Sequence, residues 1–160
     1  MVRAIDYLKE EYHNHRHWDL NPRSEKILEF FKKYVDKKAK ILELGCSSGR
    51  NLVHLYNAGY KNLTGLEMYP IEERKEFKLI RGRYEDTELE EYDVIFSASF
   101  LQDFESFPQE QFDKTLQKTK KYFMIFGDFM TTHTHEGFKV IEKTPAQEPF
   151  SQPIIILCKI

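Results

Sequence analysis

At 160 residues the chain has the length of one domain built around one hydrophobic core. Apolar residues make up 41% and charged residues 31%, a balance that argues against a disordered or fibrous chain. Lys and Arg number 24 against 26 Asp and Glu, a net charge of -2, so no overall field points to a nucleic-acid or membrane partner.

In chain order, Ile5, Leu8 and Tyr12 stand at helical spacing and predict an opening helix. A polar segment with His13, His15, His17 and Trp18 follows, then Pro22. Ser24 is the expected N-cap of a helix whose apolar stripe is Ile27, Leu28, Phe31 and Val35. Residues 40–44 read as a strand entering a glycine turn, and 51–58 as a helix closed by Gly59. Residues 62–66 form a second strand ending at Glu67, 77–80 a third and 92–96 a fourth. Pro108 opens a helix to about residue 119, with Phe112 and Leu116 inward. Residues 122–126, 138–141 and 154–158 complete seven strands.

Strands interleaved with helices imply an α/β sheet. A Pro-containing stretch without a helical pattern joins the last two strands, so they are expected to pair antiparallel at one edge. Little room exists for helices on either side of the third strand, which makes this a pared-down example. We expect a single domain over 1–160: an N-terminal helix and His-rich cap segment over 1–23, and the α/β core over 24–160. Cys46 and Cys158 read as reduced core residues. The opening lacks the apolar stretch of a secretory leader, and residues 154–158 are too few to cross a bilayer, so a cytoplasmic protein is expected.

The chemistry concentrates in Glu43-Leu44-Gly45-Cys46-Ser47-Ser48-Gly49-Arg50-Asn51. A strand runs into a turn with two glycines and then a helix, whose first N–H groups are free for a polar ligand. Glu67 follows one helix and one strand later, placed to accept both hydroxyls of a ribose at the carboxyl edge of the sheet. Residues 45–49 also match the G-x-S-x-G elbow of α/β-hydrolases. That elbow needs earlier strands and an oxyanion loop, and the forty or so residues upstream look helical. A dinucleotide fingerprint fails because Ser47 takes the second glycine's place, and no Gly-Lys-Ser/Thr closes a phosphate loop.

Residues 43–51 resemble the first motif of class I S-adenosylmethionine-dependent methyltransferases, an acid followed by a glycine-rich loop. Leu63-Thr64-Gly65-Leu66-Glu67 resembles their second motif, and residues 91–101 resemble the motif of the fourth strand. The match in order covers about 24–160. It implies a seven-stranded, mostly parallel Rossmann-like sheet with helices on both faces and an antiparallel last strand. It also implies S-adenosylmethionine as cofactor, held by Glu43, Gly45, Cys46, Ser47, Gly49, Asn51, Glu67, Met68, Arg83, Tyr84 and Ser97. Two departures stand out. Ser47 replaces the middle glycine, and Arg83 stands where an acid near the adenine is expected, with Glu85 or Asp86 as substitutes. Arg23 is either a partner for the cofactor's carboxylate or a solvated residue at the helix start.

A sulfonium methyl is already activated, so the main task of such an enzyme is to hold the acceptor in line. An oxygen acceptor of high pKa also needs a base, and His17, Asp103, His133 and His135 are candidates by location alone. His13, His15 and His17 alternate in a way that suits a metal, with His133 and His135 as further ligands. The plainer reading is a polar loop facing water, and no metal site is expected. Trp18 is a core anchor or part of a lid, and Asp93 reads as structural. Ser97-Ala98-Ser99-Phe100 lacks the Asn/Asp-Pro-Pro-aromatic motif of amino-methylating nucleic-acid enzymes. That subgroup is disfavoured; the expected acceptor is a small molecule, with a docked macromolecular surface or a protein partner as the other possibility. The alternative is a non-catalytic binding subunit with the same fold.

Overall fold

A strand covered on both faces is mostly apolar, and this tendency organises the centre of the sheet. In the computed structural model, which describes residues 22–101, 104, 107–127, 135–150 and 152–160, β1 (Ile41–Leu44) and β2 (Leu63–Glu67) are buried at every position. β3 (Lys78–Arg81), β4 (Tyr92–Ala98), β5 (Thr119–Phe126), β6 (Phe138–Thr144) and β7 (Ile154–Lys159) complete a seven-stranded sheet of order β3-β2-β1-β4-β5-β7-β6. Pairing is parallel from β3 to β5, and β7 runs antiparallel to both β5 and β6. The expected edge pair is present, with β6 outermost. β6 extends to Thr144, beyond the predicted end at residue 141.

Alternation of side chains divides the core into two layers. Ile41, Phe96, Met124 and Ile156 face α1 (Pro22–Tyr34) and α2 (Arg50–Asn57), where Ile27, Phe31, Leu52 and Leu55 cover them. Leu42, Leu44, Ile95 and Ile125 face the opposite side, against Phe112 and Leu116 of α3 (Gln109–Gln117). Helices therefore lie on both faces. Phe31 is fully buried, and its ring meets Phe96 and Tyr60 edge-on at 5.1 and 5.7 Å.

Connections around β3 are short, as expected. No helix lies between β2 and β3, and a single 3₁₀ turn, Tyr84–Asp86, lies between β3 and β4. α2 ends as its sequence predicts. Gly59, at φ 103°, donates to Tyr56 O, and Tyr60 N–H reaches back to Leu55 O at 3.1 Å, the bond pattern of a glycine-terminated helix.

Ser24 does not cap α1. The helix already includes Pro22, which suits a first turn because it has no N–H to satisfy. Ser24 instead sits inside that turn, 2% exposed, and its hydroxyl donates to Asn51 Oδ1 at 2.9 Å. No helix among the described residues is long and apolar enough to cross a membrane. The opening helix, His13, His15, His17 and Trp18 lie outside the described residues, as do Asp103 and His133.

Candidate functional site

The turn after β1 is built from three left-handed residues: Gly45 at φ 61°, Ser47 at φ 52° and Gly49 at φ 85°. Ser47, the departure from the glycine pattern, adopts the conformation that glycine would reach at lower cost. Cys46 N–H donates to Leu66 O at 3.0 Å, and Gly49 N–H closes the turn onto Cys46 O at 2.9 Å. Gly65 opposite has no room for a side chain, since a Cβ there would lie 2.5 Å from Cys46 Sγ. Turn and second strand are thus packed as one unit.

Glu67, at the end of β2, is 7% exposed and is tied to this turn by hydrogen bonds. Ser47 N–H donates to its Oε2 at 2.9 Å, and Tyr69 N–H donates to its Oε1 at 3.0 Å. Each carboxylate oxygen therefore has one backbone donor and retains capacity for another. Met68, the next residue, is a large apolar side chain left 45% exposed.

Glu43 comes from β1 and is 2% exposed. Asn51 Nδ2 donates to its Oε1 at 2.8 Å, while Oε2 is buried with no hydrogen-bond partner among the described residues. Burial pushes its carboxyl up to about 8; the Asn51 hydrogen bond opposes this, the Glu67 charge adds to it, and Arg50 opposes it. Burial, with Glu43 and Glu67 nearby, also holds the Cys46 thiol well above its ordinary value. Cys46 is therefore a neutral packing residue and not a nucleophile.

Ser97, fully buried, pairs with Leu44 in the β1–β4 register. Ser99, at φ 58°, donates its N–H to Phe126 O, and its hydroxyl accepts a bond from Arg23 Nη2. The Arg23 guanidinium also lies 4.8 Å from the centre of the Phe150 ring. Arg23 is exposed to water, and its guanidinium reaches across to the carboxyl end of β4. Phe100 packs so closely on Gly45 that a Cβ at 45 would collide with its ring, and Phe77 does the same at Gly49. Nothing local in the sequence signals these two ring contacts, nor the bond from Ser24 to Asn51.

Of the remaining expected residues, Arg83 and Tyr84 follow Gly82, whose N–H donates to Glu67 O at 3.1 Å. Arg83 is exposed and pairs with Glu85 at 3.2 Å and Asp86 at 3.8 Å. Tyr84 is 2% exposed, with its hydroxyl 2.7 Å from Thr115 Oγ1 and its ring 5.9 Å from that of Phe100. Its side chain thus belongs to the core beneath α3. His135 stands edge-on to Phe112 at 5.2 Å. Among the described residues no cluster of three or more His, Cys, Asp or Glu can hold a metal. A hollow of about 420 Å³ opens at the opposite, amino-terminal edge of the sheet, between Lys40, Lys61, Lys75, Lys78, Glu90 and Tyr92. It contains neither the glycine turn nor the buried acids, which lie at the carboxyl edge.

No protein-family model matches the sequence, and no curated protein is significantly similar to it. Solved structures are similar in fold. Magnesium protoporphyrin IX methyltransferase from Synechocystis PCC 6803, with S-adenosylhomocysteine bound, superposes at a TM-score of 0.72 and 9% identity, covering 99% of this chain and 95% of that one. The Burkholderia thailandensis 1,6-didemethyltoxoflavin-N1-methyltransferase gives 0.71 at 10% identity, over 99% and 87% of the chains. A glycopeptide N-methyltransferase bound to S-adenosylhomocysteine gives 0.65 at 12% identity, over 88% and 90%. This chain has the Rossmann-like fold of class I methyltransferases.

Proposed function

We propose that this protein binds S-adenosylmethionine at the carboxyl ends of β1 and β2 and directs its methyl group to a small-molecule acceptor. One observation carries the reading: the Glu67 carboxylate is bonded to the backbone of the glycine turn itself, so acid and turn form a single polar surface. The similar structures are named as methyltransferases of magnesium protoporphyrin IX, 1,6-didemethyltoxoflavin and a glycopeptide, and S-adenosylhomocysteine is bound in all three, which supports it.

The residues present fit such a ligand. Glu67 has acceptor capacity left for two ribose hydroxyls, and exposed Met68 beside it offers an apolar face for an adenine. Glu43 Oε2 is a buried acceptor lacking a donor, which a ligand ammonium would supply. Arg23 stands near the end of β4 as a partner for a carboxylate. When bound, the cofactor supplies a sulfonium-activated methyl group. The chain's own part is to hold and orient: the turn and two acids fix one side, while Phe100 and Phe104 present an apolar wall that excludes water. A cytoplasmic setting belongs to the same proposal and is supported by Cys46 and Cys158, both free thiols.

Calorimetry with S-adenosylmethionine and S-adenosylhomocysteine tests the binding step. Saturable heat at millimolar ligand or below is expected, and its absence would refute the proposal. Incubation with methyl-labelled cofactor and small-molecule, tRNA and protein extracts then tests transfer. Label is expected in the small-molecule fraction. Binding without transfer to any fraction would refute the catalytic part and leave a cofactor-binding subunit.

A further inference from the structure

A buried acid with one oxygen held and the other free is an aimed group, and what holds it decides where it points. Asn51 Nδ2 donates to Glu43 Oε1 at 2.8 Å, and the Ser24 hydroxyl donates to Asn51 Oδ1 at 2.9 Å. Ser24 and Glu43 are each 2% exposed, so water does not substitute readily for either bond. We infer that Ser24 of α1 and Asn51 of α2 are positioning residues that aim the free Glu43 oxygen at the amino group of a bound cofactor and thereby set the pH range over which the cofactor binds. The inference rests on the function proposed above.

The chemistry follows from the polarity of the chain of bonds. An amide has one accepting end and one donating end. With its oxygen engaged by Ser24, Asn51 presents its NH₂ to Glu43. A rotated amide would set its oxygen against the carboxylate instead and repel the ionised form. In the orientation observed, the donor favours the ionised form of Glu43 and opposes the effect of burial. Among the described residues, the charged and titratable groups facing Glu43 are Glu67 from β2, Arg50 from α2 and the neutral Cys46 thiol from the turn. A cationic amino group is drawn to the ionised acid, so affinity rises as Glu43 ionises and falls again once the ligand's own amino group loses its proton. Ser24 also follows Arg23, which reaches Ser99 at the end of β4. Docking of the first turn of α1 is thereby coupled to both sides of the site.

Two readouts test the relay. In ligand-free protein, the carboxyl carbon of isotopically labelled Glu43 reports its titration by NMR. Asn51→Leu is expected to raise the midpoint by about one pH unit, and to weaken S-adenosylhomocysteine binding about tenfold at neutral pH, the gap to the unaltered protein narrowing as pH rises. Ser24→Ala is expected to shift both in the same direction by less, and Ser24→Thr, which keeps the hydroxyl, to restore them. Should Asn51→Leu fail to fold, the Ser24 pair carries the same test. An unshifted midpoint, or an affinity loss equal at every pH, overturns the relay while leaving the cofactor reading intact. Failure of the unaltered protein to bind S-adenosylhomocysteine at any pH overturns both.

Discussion

Glu43→Gln should stabilise the ligand-free protein while weakening cofactor binding, and the size of the effect follows from the environment of the acid. In the unfolded chain this carboxyl titrates near 4.5, and in the folded protein burial pushes it up to about 8. The folded pKa is raised, so the folded state binds the proton more tightly. The contribution of Glu43 to stability is then greatest below pH 4.5, declines as pH rises toward 8 and levels off above that. At about 1.4 kcal/mol per pH unit, ionisation of the unfolded chain costs the wild type about 3 kcal/mol at pH 7 and about 5 kcal/mol above pH 8. A neutral acid and an amide leave comparable polar atoms unpaired, so glutamine removes this penalty and adds little of its own. Urea unfolding of both proteins should show a stability gap of about 1 kcal/mol at pH 5, widening to about 3 kcal/mol at pH 7 and about 5 kcal/mol at pH 9. A gap independent of pH, or a glutamine variant less stable than wild type at pH 9, would refute the account of Glu43. The gain in stability at the expense of the ligand's partner is the usual trade at a functional site.

Glu67→Ala removes the acceptor for two backbone N–H groups and for the proposed ribose, and should weaken S-adenosylhomocysteine binding by about 1–3 kcal/mol in calorimetry; unchanged affinity removes Glu67 from the site. Phe100→Ala removes part of the apolar wall beside Gly45 and should weaken S-adenosylhomocysteine binding several-fold in calorimetry; tighter binding would show instead that the ring blocks the ligand's path across Gly45. Phe31→Ala empties a fully buried position between Phe96 and Tyr60 and should cost about 3–5 kcal/mol by urea unfolding. A loss below about 1 kcal/mol would mean that the layer under α1 collapses to fill the gap.

The sheet could be read in advance where burial is complete. Residues 41–44, 92–96 and 154–158 are apolar apart from Glu43 and Asp93 because helices or neighbouring strands cover them, and each appears as a strand within a residue or two. β6 is an edge strand with exposed positions, so Glu142, Lys143 and Thr144 look polar and its last three residues escaped notice. The glycine turn and Glu67 were legible because φ above zero and a carboxylate at a strand end leave residue-type signatures. Ser24 was misplaced because capping preference is local, whereas its hydroxyl has its partner 27 residues away. Arg83 and Tyr84 were assigned by position along the chain. The 3₁₀ turn directs one to water and buries the other, a difference set by tertiary packing that spacing does not encode.

The most direct test is a crystal structure of the protein with S-adenosylhomocysteine. The account predicts the ribose hydroxyls on Glu67 and the amino group beside Glu43, with the ligand crossing Gly45. Density at the lysine-lined hollow on the other edge of the sheet, with Gly45 and both acids untouched, would contradict it.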